Sequence, residues 1–251
     1  MNKTTPKCLS LTKDYRKMKN DDIAIIKKAD GKPYSVRKSR SRYFFPNEWE
    51  KFINTFVNEK HSMFFSTMLN TGGRPMEVLN LTAGNFDFKA ESIEFKVVKT
   101  RVANKQLFSA GESRRFFITN KFNRMVKKYV LKNNIKPEEY IFLDNSKLPA
   151  NYKNLLNIEK KKYYEKYKSA YSRLFKRHVI IADIEENWNL SLYNIRKTYG
   201  NWMRIFEDVS TEDLCYRMGH TLKTFMKHYG SSLLFNSSDK MKIQRILGDV
   251  K

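Results

Sequence analysis

Apolar residues are sparse over the first 41 positions, apart from Ile23, Ala24, Ile25 and Ile26. Order is expected from Phe44-Phe45-Pro46 onward. Asn47 is suited to cap a helix that carries Trp49, Phe52, Ile53 and Phe56 on one stripe. A second helix is expected from about His61 to Asn70, stopped by Thr71-Gly72-Gly73. A third follows with Pro75 in its first turn and Glu77, Val78 and Leu79 behind it. The period then changes. Ser92 to Val98 and Arg115 to Ile118 alternate as strands, with Asn104 and Gly111 as turn residues between them. Helical spacing returns over 121–133, 159–178, 191–206, 211–218, 221–229 and 239–247. The pattern predicts a mainly α chain with a small antiparallel β-sheet, an α+β fold. The helix at 159–178 combines Lys160-Lys161-Lys162 with Tyr163, Tyr164 and Tyr167. That helix either tracks a phosphate backbone or turns its tyrosines into the core.

Charge narrows the class of partner. The chain has 251 residues, 41% of them hydrophobic, so it can bury a sizeable core. It carries 49 Lys and Arg against 26 Asp and Glu, a formal net charge of +23. Such an excess repels itself, and a polyanion is the usual neutraliser: DNA, RNA or an anionic membrane surface. A solubility surface, or lysine inflation from A+T-rich codons, is the blander account, but codon bias does not move net charge so far. Residues 1–41 hold twelve of the Lys and Arg and four Asp. They read as a basic arm, flexible alone and ordered on DNA. The other reading is a short strand or helix docked on the body through the isoleucines.

Two cysteines, Cys8 and Cys215, are too few for a disulfide framework, and the four histidines form no metal-ligand pair. No metal site and no cofactor is expected. The basic N-terminus lacks the apolar stretch of a signal peptide, and no apolar run approaches the roughly 18 residues needed to span a bilayer. The expectation is a cytoplasmic protein whose polyanion is nucleic acid.

Cutting a phosphodiester without metal needs a nucleophile in line with the leaving oxygen and cations on the non-bridging oxygens. It also needs an acid for the departing 5′ oxygen and an acceptor for the nucleophile's proton. Arginine suits the second task, because its planar fork stays charged and donates two hydrogen bonds. The segment Thr71-Gly72-Gly73-Arg74-Pro75-Met76-Glu77-Val78-Leu79-Asn80-Leu81 resembles the first arginine box of the tyrosine recombinases, the phage integrase family, written T-G-x-R-x-x-E-x-x-x-L. Leu192-Tyr193-Asn194-Ile195-Arg196-Lys197-Thr198-Tyr199 resembles the second box, H-x-x-R-H-T. Met218-Gly219-His220-Thr221 resembles the L-G-H that follows, and Thr224 to Tyr229 the closing T-x-x-x-x-Y. Arg196 lies 24 residues before His220, and His220 lies 9 before Tyr229. Both spacings are close to the family's habit. Each box alone is weak, but four in order on the expected elements are specific, and they span about residues 42–235.

The resemblance implies a tyrosine recombinase catalytic-domain fold and a site-specific recombinase or integrase of a mobile or viral element. Such an enzyme breaks and rejoins double-stranded DNA through a transient 3′-phosphotyrosyl link. It implies that Arg74 and Arg196 clamp the scissile phosphate, that Lys99 at the end of the first strand is the general acid, and that His220 bonds a phosphate oxygen. Tyr229 is the implied nucleophile and Glu77 orients its neighbours without acting as a base. Lys96 and Lys105 are alternatives for the acid. Each position also has a structural reading: Arg74 held by Glu77 one turn on, His220 capping the helix that starts at Thr221, and Tyr229 as core beside Tyr216 and Phe225. Tyr193 departs from the pattern, which has His or Lys there. It either plays a weaker version of that role or yields it to Lys197 or Lys223.

The family's separate helical core-binding domain does not fit before Arg74, so the arm at 1–41, or a second protein, is expected to close the clamp. The tail at 236–251, with Ile243, Ile246 and Leu247, is expected either to dock on a neighbouring protomer in a DNA-bound dimer or tetramer, or to fold onto its own domain. The rival readings are a type IB topoisomerase-like or telomere-resolving enzyme, a DNA-binding relative that has lost catalysis, and a charge-driven RNA- or membrane-surface binder.

Overall fold

The computed structural model describes residues 23–27, 33–37, 43–96, 113–152, 155, 157–184, 190–229 and 235–249. Within the basic arm, β1 (Ile23–Lys27) pairs antiparallel with β2 (Pro33–Arg37), so that Ile23 opposes Arg37. The body opens with α1 (Pro46–Asn54) and α2 (Glu59–Thr71). Pro46 takes the first turn of α1, where its missing N–H costs nothing, and the Glu48 carboxylate accepts from the Phe45 N–H at 2.8 Å. The α1 cap thus falls on Phe45, two residues ahead of the expected Asn47. Asn58 caps α2 by accepting from the His61 N–H at 3.2 Å.

After α3 (Pro75–Leu79) come β3 (Phe86–Asp87), β4 (Ser92–Lys96) and β5 (Ser113–Phe117), antiparallel in the order β3-β4-β5. The two-residue β3 is too short to register as periodic, which is why only two strands were legible. Ile93 faces Phe116 and Phe95 faces Arg114 across the ladder. On β5, period 2 turns Arg114 and Phe116 inward and leaves Arg115 and Phe117 exposed.

The remaining helices are α4 (Asn120–Lys132), α5 (Asn157–Ile181), α6 (Leu192–Trp202), α7 (Thr211–Met218), α8 (Leu222–Tyr229) and α9 (Ser237–Leu247). Helix α6 is central. Leu192, Ile195, Tyr199 and Trp202 are all buried, and α6 packs against α2 and α8. Phe44 is tied to it twice: its N–H donates to Thr198 Oγ1 at 2.9 Å, and its carbonyl accepts from Trp202 Nε1 at 3.0 Å. Edge-to-face and tilted rings of Phe44, Trp49, Phe52, Phe65 and Phe175 fill the space between α1, α2 and α5.

The tyrosines of α5 belong to this interior. Tyr164 is buried and donates to Asn80 Oδ1, while Tyr163 and Tyr167 pack on the core. Helix α9 folds onto its own domain. Ile243 and Leu247 are buried, Arg245 pairs with Glu50 and Lys242 donates to Asn47, both on α1. No helix of the described residues is long and apolar enough to cross a membrane.

Gly72 ends α2 with φ +60°, in the left-handed region, and a Cβ there would overlap the Tyr199 ring of α6. Gly72→Ala is therefore expected to destabilise by about 2–4 kcal/mol, left-handed strain plus overpacking. A lower urea midpoint at unchanged slope would register it. An unchanged midpoint would mean that α2 and α6 part without cost.

Candidate functional site: an arginine cage around Glu77 and Tyr229

Four turns of chain converge where α3 begins, α6 passes, α7 ends and α8 closes. Arg74 is the N-cap of α3, and its extended backbone points its side chain across the helix start. The Glu77 carboxylate reaches back to the Arg74 N–H at 2.7 Å and to Arg74 Nη1 at 2.8 Å. This is a capping-box geometry in which one carboxylate holds both the backbone and the head group. Arg74 Nη2 donates to the Gly219 carbonyl at 3.3 Å.

Arg196 comes from the middle of α6 and is buried. Its Nη1 donates to the Gly72 carbonyl at 2.6 Å, and its Nη2 to the Met218 carbonyl and to His220 Nε2, the latter at 2.8 Å. A guanidinium only donates, so His220 accepts through Nε2, and a neutral ring then carries its proton on Nδ1. Burial and the nearby Arg74 draw the Arg196 pKa down to about 10, which leaves it cationic near neutrality.

His220 is set by the end of α7. Gly219 takes φ +59°, and the His220 N–H bonds the Cys215 carbonyl at 2.9 Å, a Schellman closure. The cap of α8 is Thr221, whose hydroxyl accepts from the Thr224 N–H at 3.3 Å, so His220 does not cap that helix.

Tyr229 is the last residue of α8 and only 3% exposed. Its ring stacks on Phe225 at 4.8 Å and lies 5.8 Å from the His220 ring. Burial raises its pKa, while the charge of Arg196, a hydrogen bond with Arg196 and the charge of Arg74 pull the other way. Gly200 on α6 makes room for it, since a Cβ there would sit 2.8 Å from Tyr229 Cδ1.

The structure thus brings Arg74, Glu77, Arg196, His220 and Tyr229 into one cluster. Tyr193 lies one turn before Arg196 on α6 and is 45% exposed, outside the buried cluster. Lys99 and Lys105 lie outside the described residues. Lys96 is exposed at the end of β4, Lys197 is half-buried on α6 and Lys223 is exposed on α8. No group of three or more His, Cys, Asp or Glu among the described residues could hold a metal ion.

One charged member was missed. Arg114, fully buried on β5, forks onto Glu77 with Nη1 to Oε1 at 3.0 Å and Nη2 to Oε2 at 2.8 Å. Its signal was present, because it shares the inward register of β5 with Phe116. Burial alone would raise the Glu77 pKa. Arg114, Arg74 and Arg196 outweigh that and hold the carboxyl well below the usual carboxylate range.

Helical body, small antiparallel sheet and arginine-caged tyrosine together define the catalytic-domain architecture of the tyrosine recombinases. The phage integrase family model matches residues 42–235, and the chain belongs to that family. Among solved structures, XerA recombinase matches with a TM-score of 0.54 at 14% identity, over 84% of this chain and 66% of its own. The integrase of the Tn1549 transposon, solved with transposon right end DNA, matches with 0.55 at 17%, over 96% and 78%. XerH site-specific recombinase bound to difH substrate matches with 0.53 at 14%, over 92% and 63%. At these identities the likeness is one of fold. The chain spans about two thirds of the XerA and XerH chains. No curated protein matches the sequence.

The folded pKa of Glu77 lies below its ordinary value of 4.5, so its ionisation stabilises the fold above that value and the contribution is withdrawn as pH falls below it. Glu77→Gln is expected to be less stable than the parent near neutral pH, with a shallower stability loss between about pH 4 and 2. Urea midpoints across that range test this. An equally steep acid limb in the variant would assign the loss to other carboxylates.

Proposed function

We propose that the chain is a site-specific DNA recombinase or integrase of a mobile or viral element that cleaves and rejoins double-stranded DNA through Tyr229. The observation that carries this reading is the convergence of two guanidiniums from distant segments, Arg74 and Arg196, on one buried tyrosine. Two forks from different sides suit the two non-bridging oxygens of one phosphate. In the proposed step the Tyr229 oxygen bonds to phosphorus as the P–O5′ bond breaks. The phenolic proton passes to an acceptor and the 5′ oxygen takes up a proton. The phosphodiester energy is kept in the 3′-phosphotyrosyl link and returned on ligation, so no oxidant or nucleotide is needed. His220 hydrogen-bonds a phosphate oxygen in this reading, its Nε2 exchanging Arg196 for the phosphate, and Lys99 supplies the proton to the 5′ oxygen. Tyr193, on the rim of the same helix face, contacts the phosphate weakly at most.

DNA is the proposed polyanion. The +23 charge supports this, and so do the DNA complexes of the Tn1549 integrase and XerH. The basic arm at 1–41 is proposed to complete the grip. One nucleophile per protomer means one protomer per strand cut, which requires a dimer or tetramer for exchange between duplexes.

The test uses duplexes of random sequence with a nick placed so that the 5′-hydroxyl fragment is lost after cleavage. A denaturing gel should show a covalent protein–DNA adduct, absent in Tyr229→Phe. Arg196→Lys, which keeps the charge but not the fork, should slow adduct formation by about 100-fold or more, and affinity for intact duplex should change little. An adduct that survives in Tyr229→Phe would move the nucleophile elsewhere. No adduct in the parent chain would leave a DNA-binding relative without catalysis. Relaxation of supercoiled plasmid without exchange between sites would favour the topoisomerase-like reading. Duplex affinity should also fall steeply with salt, with a log–log slope of about −0.9 per phosphate neutralised.

A further inference from the structure

Arg114 is fully buried, with none of its surface exposed. A buried guanidinium is costly to desolvate, and its partners among the described residues are internal. Both terminal nitrogens bond Glu77, Nε donates to the Arg217 carbonyl at 2.9 Å, and the plane lies 5.1 Å from the centre of the Phe95 ring. The Arg217 carbonyl belongs to the last turn of α7, next to the Met218 and Gly219 carbonyls that receive Arg196 and Arg74. Arg114 therefore ties β5 to the carboxylate and to the strand of chain that the two clamp arginines lean on.

Charge arithmetic gives this position a purpose. Glu77 is a single negative charge among three positive ones: Arg74 at 2.8 Å, Arg114 in a bidentate pair and Arg196 at 3.9 Å. With Arg114 taking up the carboxylate's charge, Arg74 and Arg196 keep two net positive charges. Without it, Glu77 has only the clamp arginines as counter-ions and cancels half of what they present.

We infer that Arg114 is a positioning residue whose fork neutralises and orients Glu77, leaving Arg74 and Arg196 charged and aimed for the scissile phosphate. The inference rests on the reading of those two arginines as the phosphate clamp. It separates from a scaffold role, because a scaffold role predicts that removing Glu77's charge as well makes matters worse. Charge neutralisation predicts that it helps.

The experiment measures single-turnover adduct formation on the nicked random duplexes for the parent, Glu77→Gln, Arg114→Met and the double variant, each with a melting curve. Arg114→Met is expected to slow the reaction by about 10- to 100-fold. The double variant should recover about 10-fold over Arg114→Met, a non-additive gain. If Arg114→Met alone does not fold, the double variant decides. A folded double variant within about 10-fold of Glu77→Gln supports the inference. A double variant that is unfolded, or folded and no faster than Arg114→Met, overturns it. An Arg114→Met protein as fast as the parent overturns it alone. A parent chain that forms no adduct removes the transesterase reading and this inference with it.

Discussion

The site depends on one buried carboxylate. Glu77 is taken out of water at a cost that a single ion pair in the interior rarely repays. Three arginines from α3, β5 and α6 repay it together, and each of them is fixed in return. This reciprocity places cations from three distant segments in one cluster, where their mutual repulsion would otherwise separate them. The carbonyls of Gly72, Arg217, Met218 and Gly219 accept further bonds from these guanidiniums. Those carbonyls point inward because Gly72 and Gly219 each adopt a left-handed turn that ends a helix. Backbone conformation, helix termination and site electrostatics are thus a single structural fact.

Much of this was legible in the sequence. The helix stop at Gly72, the Pro75 start and the T-G-x-R-x-x-E spacing already imply an arginine at a helix N-cap with a carboxylate one turn on. The order of the four boxes implied the convergence of Arg74, Arg196, His220 and Tyr229, since a shared phosphate gives such spacing its meaning. Two things were not legible. Whether α9 folds on its own domain or on a neighbour depends on Arg245 meeting Glu50 and Lys242 meeting Asn47, pairs nearly two hundred residues apart that no local pattern encodes. Arg114 was hidden for a different reason. Arginine on a strand of a highly basic chain reads as surface, and only its register with Phe116 marks it as interior.

The tyrosines of α5 show how composition alone misleads. Three lysines followed by tyrosines suit both a backbone-tracking helix and a core-facing one, because an amphipathic helix presents either face equally well in sequence. Burial decides it. Tyr164 bonds Asn80 and Tyr152 packs on both Tyr163 and Tyr164, so the rings are structural and only the lysine side remains for a polyanion. The net charge of the chain is therefore a statement about its surface, and the proposed chemistry rests on far fewer cations inside.

The position of the proposed nucleophile has a consequence for how a phosphate would reach it. Tyr229 is closed in by Phe225, by the Gly200 face of α6 and by His220, and its own carbonyl is held by Arg204. The members of the cage with residual exposure are Arg74 and His220, on the side where α3 begins and α7 ends. In the proposed reading a phosphate entering there would meet Arg74 first, then the Arg196–His220 pair, and the phenol last. Burial makes the phenol reluctant to ionise and the two arginines pull the other way, so in the proposed reading its proton leaves during the attack itself. In that reading the burial of Tyr229 restricts attack to a phosphate that the two arginines have first secured.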